Sequence, residues 1–175
     1  MDSEKTAIII ASKENPLDAF AKELNSRKVL TRVLFREDMV GFESMERKAL
    51  EVFSDLDKVD YLVISALQNE QFEKKTIDML SEEEYREWKY YSLVQFYHIN
   101  RCFIGKMVET GGGCVFGICS QSGITPSKNL SLDGASGAAL IMGLKCLAEE
   151  SHEENIFTNA VGLGAIEENE DMHSM

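Results

Sequence analysis

Residues 111–148, GGGCVFGICSQSGITPSKNLSLDGASGAALIMGLKCLA, constrain the fold more than any other stretch of the chain. Three glycines lead into 114–119, a short apolar run rich in β-formers that reads as a buried strand. A loop carrying Ser120, Ser122, Gly123 and Pro126 follows. From 135 to 148 small and apolar residues recur at helical spacing, Ala138, Ile141, Met142 and Leu144 among them. The order strand, loop, helix is that of an open α/β sheet. In such a sheet the carboxyl ends of parallel strands face the ligand crevice, so Ser120, just past its strand, is placed where chemistry is done.

The rest of the chain repeats this alternation. Residues 6–11 form a β-branched run expected to be the first, central strand, and Asn15, Pro16 and Asp18 supply a cap, a first helical position and a first-turn acid. Leu17, Phe20, Ala21 and Leu24 then fall on one helical face. A second strand over 28–35 is followed by Arg36-Glu37-Asp38, in which Glu37 or Asp38 could hold a ribose hydroxyl in an active relative but read here as solvated surface acids, and by an amphipathic helix over 42–56 through Phe42, Met45, Ala49 and Phe53. A strand at 61–65 precedes a polar connection. Ser81-Glu82-Glu83-Glu84 opens a capping box for a long aromatic helix to about 108. His98 lies within that helix and reads as a packing residue. A last strand at 156–161 leads to an acidic stretch. The expected architecture is a single doubly wound, mostly parallel α/β domain over 1–166 with a mobile acidic tail at 167–175.

These residues resemble the short-chain dehydrogenase/reductase family. The family's pattern is a strand ending Asn-Ile-Ser-Ser, a glycine three residues on, and Tyr-x-x-x-Lys opening a helix of small residues. Gly117-Ile118-Cys119-Ser120 with Gly123 is similar to the first part, and Asp133-Gly134-Ala135-Ser136-Gly137-Ala138-Ala139-Leu140 to the second. The resemblance implies a Rossmann-like fold and NAD(P)-dependent redox chemistry. It also marks what is changed: Ser120 is kept, Asp133 stands at the tyrosine and Gly137 at the lysine. The three cofactor-turn glycines fall on Ala11, Asn15 and Leu17, with Glu14 and Asp18 beside them. The family's catalytic asparagine falls on Ser92 or Gln95, depending on register. Leu163 replaces a proline, and of the Asn-Asn-Ala-Gly strand ending only Ala66 matches. One strand-helix unit of the cofactor half, the substrate lid and the final strand are expected to be missing.

Net charge of −12 gives a nucleic acid or an anionic membrane no basic face to bind. No signal-like segment opens the sequence, so a cytoplasmic location is expected. Cys102, Cys114, Cys119 and Cys146 show no metal-ligand spacing, and no metal site is expected. Three functions stay open: a degenerate family member without its own redox chemistry that binds a partner or small ligand and takes no cofactor; an NAD- or NADP-dependent oxidoreductase with an altered site; and a hydrolase built on Ser120 and Asp133. The first is preferred, because cofactor turn, proton donor and lysine are altered together. The helices 81–108 and 134–148 carry apolar or small side chains over much of their circumference. A homo-oligomer, or pairing with an active relative, is expected through them, with Gly134, Gly137 and Gly143 allowing close approach and Phe96, Tyr97 and Phe103 filling the gap.

Overall fold

The structure, a computed structural model, describes residues 4–13, 17–67 and 75–164. Asn15 and Pro16, with the cap they were expected to form, and the tail 167–175 lie outside the described residues.

Five strands form one parallel sheet: β1 (Lys5–Ala11), β2 (Val29–Phe35), β3 (Tyr61–Ser65), β4 (Gly113–Ser120) and β5 (Ile156–Leu163), in the spatial order β2-β1-β3-β4-β5. Five α-helices connect or flank them: α1 (Leu17–Ser26), α2 (Phe42–Asp55), α3 (Glu82–Lys89), α4 (Gln95–Glu109) and α5 (Ser131–Ser151). The fold is the expected Rossmann-like α/β sheet, and only one strand-helix unit separates β1 from β3. β1 is interior but not the middle of the sheet. That place belongs to β3, because the cofactor half contributes just one strand beyond β1.

Parallel strands covered on both faces read as unbroken apolar runs, and Ala7 to Ala11 are at most 1 % exposed. Ile8, Ile10, Leu62, Ile64 and Val115 point to the face packed by α2, α4 and α5, where Met45, Val52, Ile99, Phe103, Met107, Leu140 and Leu144 complete the larger core. Each such side chain withdrawn from water contributes about 1.5–3 kcal/mol. On the opposite face Ile9, Ala11, Val63 and Ile118 meet Leu17 and Ala21 of α1. No second helix stands beside α1 there among the described residues. Phe20, expected on the buried face, is consequently 39 % exposed at its rim.

The capping box forms as the sequence implies: Ser81 Oγ accepts from Glu84 N at 3.2 Å and Glu84 Oε2 accepts from Ser81 N at 2.8 Å. The long helix is not uniform. Tyr90–Val94 winds as a π segment between α3 and α4, with Ser92 Oγ donating to Trp88 O at 2.7 Å. Such segments re-aim side chains within an otherwise continuous helix.

Candidate functional site

The carboxyl ends of the strands gather Ala11 and Ser12, Arg36, Ser65 and Ala66, Ser120 and Leu163 along one rim. The chain leaves β1 for β2 on one side, and β3 lies on the other, so the topological switch point falls between β1 and β3. Arg36 caps it. From the end of β2 its guanidinium reaches past β1 to the carbonyls following β3, donating from Nη2 to Leu67 O at 3.0 Å and from Nη1 to Ser65 O at 3.4 Å. The residue is 2 % exposed, lies 5.6 Å over the Tyr91 ring, and its Nε has no hydrogen-bond partner among the described residues. Burial pushes the guanidinium below its ordinary pKa. Gln95 Nε2 donates to Arg36 O at 2.9 Å, so Gln95, buried itself, ties the π segment to the end of β2. The sequence by itself assigns Arg36 no role, only Glu37 and Asp38 beside it reading as solvated acids. An arginine after a strand carries no local sign that it will turn inward.

Beside it Lys13, just past β1, is engaged by the chain's own acids. Lys13 N donates to Glu37 Oε2 at 3.2 Å, and Lys13 Nζ pairs with Asp38 Oδ1 at 2.5 Å, which holds the ammonium above its ordinary pKa. Of the three positions where the family resemblance expects glycine, Ala11 is buried in the sheet and Leu17 fills the core beneath α1 at 7 % exposure. The third, Asn15, is outside the described residues.

Ser120 ends β4 as expected, but its contacts run to its neighbours: Ser120 Oγ accepts from Ser122 Oγ at 2.9 Å and from Ser122 N at 3.3 Å. No hydrogen bond joins Ser120 to Asp133. The Asp133 residue, in the first turn of α5, lines a separate cavity of about 20 Å³ with Lys75, Trp88 and Asn129. Trp88 Nε1 and Asn129 Oδ1 are buried there without partners, and the space admits about one water. Desolvation raises the Asp133 carboxyl above the usual range. Trp88 read from the sequence as one packing aromatic among several, and only the fold brings it to the α5 N-terminus.

Gly137 is packed rather than open. A Cβ there would lie 3.0 Å from Gly123 Cα and 3.3 Å from Ser120 O, while one on Gly123 would come within 2.6 Å of the Gly137 carbonyl carbon. A Cβ on Gly134 would likewise lie 3.1 Å from Ser122 O, and one on Gly143 would meet the Phe96 ring at 2.8 Å. These glycines were expected to admit a second helix. They are used within the chain, where they let α5 approach the turn after β4 and the α4 side chains. Phe103 is also internal, fully buried 5.9 Å from Phe53. Among the residues α5 leaves outward are Ala135, Ala138 and Met142, the last 58 % exposed, with Lys145 and Glu149 further along. A groove of about 520 Å³ runs between α4 and α5 past Tyr97, Ile104, Gly143 and Leu147. His98 packs among Phe42, Tyr90 and Tyr97, as its reading as a packing residue anticipated.

No helix among the described residues is long and apolar enough to cross a membrane. The chain is 27 % identical over 170 residues to a 7alpha-hydroxysteroid dehydrogenase of Bacteroides fragilis, covering 94 % of this chain and 63 % of that protein, so it spans less than two-thirds of this relative's length. Among solved structures it is similar to a 3-ketoacyl-(acyl-carrier-protein) reductase of Brucella melitensis complexed with NADH, with a TM-score of 0.82 at 17 % identity over 92 % of this chain and 75 % of the other. It is also similar to an enoyl-[acyl-carrier-protein] reductase (NADH) of Aquifex aeolicus, with a TM-score of 0.75 at 15 % identity over 90 % and 78 %. At these identities the structural likeness speaks for the fold. The family model for short chain dehydrogenases matches residues 1–174, nearly the whole chain, and the protein belongs to that family.

Proposed function

We propose that this family member has no hydride-transfer chemistry of its own and acts by binding a partner or a small ligand. The observation that carries the reading is Gly137. The position that resembles the family's lysine offers no ammonium, and its Cα face is filled by Gly123 and the Ser120 carbonyl. Asp133, at the tyrosine position, makes no hydrogen bond to Ser120 and looks into the Trp88 cavity instead. The described residues on either side of the β1–α1 turn, Lys13 and Leu17, do not fit a dinucleotide held in the family's manner. A pyrophosphate sits on free backbone amides at a helix start, whereas Lys13 N–H is already taken by the Glu37 carboxylate. The branched Leu17 side chain also stands where a glycine would let strand and helix close up.

The second reading is an NAD- or NADP-dependent oxidoreductase with an altered site. It is favoured by the Bacteroides fragilis relative, a dehydrogenase by its description, and by the NADH-bound state of the Brucella melitensis structure. A hydrolase on Ser120 and Asp133 has less support, since no contact joins the two. Titration with NADH and with NADPH separates the readings. Trp88, the chain's single tryptophan, is a built-in donor for energy transfer to a bound nicotinamide. Neither a saturable transfer signal nor calorimetric heat is expected. A dissociation constant in the low micromolar range would establish the oxidoreductase. For the partner, the α4–α5 groove and the outward Ala135, Ala138 and Met142 suit the helix pair of a second copy or of an active relative.

A further inference from the structure

α5 runs for 21 residues and starts without a cap. Its N-cap residue is Leu130, whose side chain has no acceptor to offer. The first-turn N–H groups of Ser131, Leu132 and Asp133 therefore have no partner within the helix, and none outside it among the described residues. Gly134 is the first whose N–H is taken, donating to Leu130 O at 2.8 Å. α3 shows the contrast, since there the Ser81 box fills the corresponding positions. The start of α5 lines the cavity of about 20 Å³ together with Trp88. Trp88 is only 6 % exposed, and its buried Nε1–H also lacks an acceptor. An indole N–H can only donate, so nothing but an acceptor inside the cavity can satisfy it.

We propose that this cavity binds one small monovalent anion, a halide such as chloride, on the first-turn amides of α5 and the Trp88 indole N–H. The positive end of the helix dipole favours a negative charge there. The space is close to that of one water, which shuts out phosphate and sulfate. Water is the competing occupant, but it accepts two hydrogen bonds and must donate two, and this cavity is richer in donors than in acceptors. No hydrogen bond among the described residues fixes the Asn129 carboxamide, whose Oδ1 is buried without a partner. A half-turn brings Nδ2 inward as a further donor and sends Oδ1 to solvent. Asp133 is the group the anion must share the site with. A neighbouring negative charge disfavours the carboxylate, so binding takes up one proton from solution and the Asp133 O–H becomes another donor. Burial already moves the carboxyl in that direction. Lys75 is the other ionisable side chain lining the cavity, its ammonium paired with Glu84 of α3 at 2.6 Å, and Lys128, before Asn129, is exposed. Since the anion raises the carboxyl further, affinity is full below the free protein's pKa and declines as pH rises through the bound one.

The site stands apart from the nucleotide question and from the α4–α5 groove, and neither a nucleotide nor a second copy enters its test. The full chain is titrated with bromide in place of gluconate at constant ionic strength, following the emission of Trp88, its single tryptophan. Bromide held against the indole quenches it, so a saturable component is expected at pH 5, with affinity lower by about tenfold or more at pH 8. Chloride should displace the bromide and sulfate should not. Asp133→Asn, uncharged at both pH values, is expected to bind equally at the two. Trp88→Phe removes one donor, and the chloride-35 line broadening seen with the parent protein, a signal that needs no tryptophan, should shrink in it. Quenching strictly linear in bromide, with no chloride-35 broadening by the parent protein, would leave the cavity to water and overturn the proposal. Displacement by sulfate as effective as by chloride would mark general surface charge and overturn it too. Saturable binding of equal strength at both pH values in the parent would place the anion away from Asp133 and overturn it equally.

Discussion

Asp133 shows how little a residue's identity says before its surroundings are known. Its place in the first turn of α5 suits a carboxylate, which the helix macrodipole favours. Its surroundings oppose ionisation, since partial burial beside Trp88 and Asn129 desolvates the carboxyl. The folded-state pKa is raised by desolvation, so the folded protein binds the proton more tightly than the unfolded chain does. Stability associated with this group is therefore fully present below the ordinary carboxylate range and declines as pH rises through the raised value. Asp133→Asn keeps the shape and removes the charge. It is expected to raise the thermal midpoint at neutral pH, with the gain vanishing near pH 3, and paired melting curves at the two pH values check both halves of the statement. Gly137 makes the complementary point. Its glycine is explained by the Gly123 backbone, which a Cβ at this position would meet at 3.0 Å, without any reference to the lysine it stands in for.

At the scale of elements, the boundaries with strong local chemistry are the ones the sequence located best. The Ser81 box, the strand 61–65 and the helix from 42 each begin where a cap or an apolar run says they should. The box is reinforced by Lys75, whose ammonium and the Ser81 groups together hold Glu84 down to about 2. With the folded pKa depressed, that contribution is present above the ordinary carboxylate value and lost as pH falls toward 2. Ser81→Ala removes the cap acceptor and is expected to lower stability by about 1 kcal/mol at neutral pH, read as a shift in the urea midpoint without change in slope. The π segment Tyr90–Val94 had no signal in the sequence. It arises where Arg36, Gln95 and Tyr91 must all be accommodated against the end of β2, a requirement set by three distant elements.

For the whole molecule, the position of the helices decides what is left exposed. α2, α4 and α5 crowd one face of the sheet, and α1 alone covers part of the other. The apolar surface that results among the described residues includes a helical groove between α4 and α5. If the groove receives the helices of a second copy or a relative, Ala138→Arg places a guanidinium on the outward face of α5, away from the sheet. The variant should fold as before, with an unchanged melting midpoint, and lose one level of association in sedimentation. Unchanged mass would overturn this use of the groove.

The sequence alone determined the alternation of strands and helices, the parallel sheet they imply, the shortened cofactor half and the alignment of Ser120, Asp133 and Gly137 with a family pattern. Periodicity and caps are local properties, and a parallel sheet follows from helices placed between strands. It could not determine where the small residues of α5 would be spent. Glycine admits a neighbour from any side, and only the tertiary structure showed Gly134, Gly137 and Gly143 facing the turn after β4 and the Phe96 ring. Nor could it turn Arg36 inward, separate Ser120 from Asp133, or bury Phe103 while exposing Phe157. Those outcomes depend on which elements pack side by side, and that is decided by contacts between residues far apart in the chain.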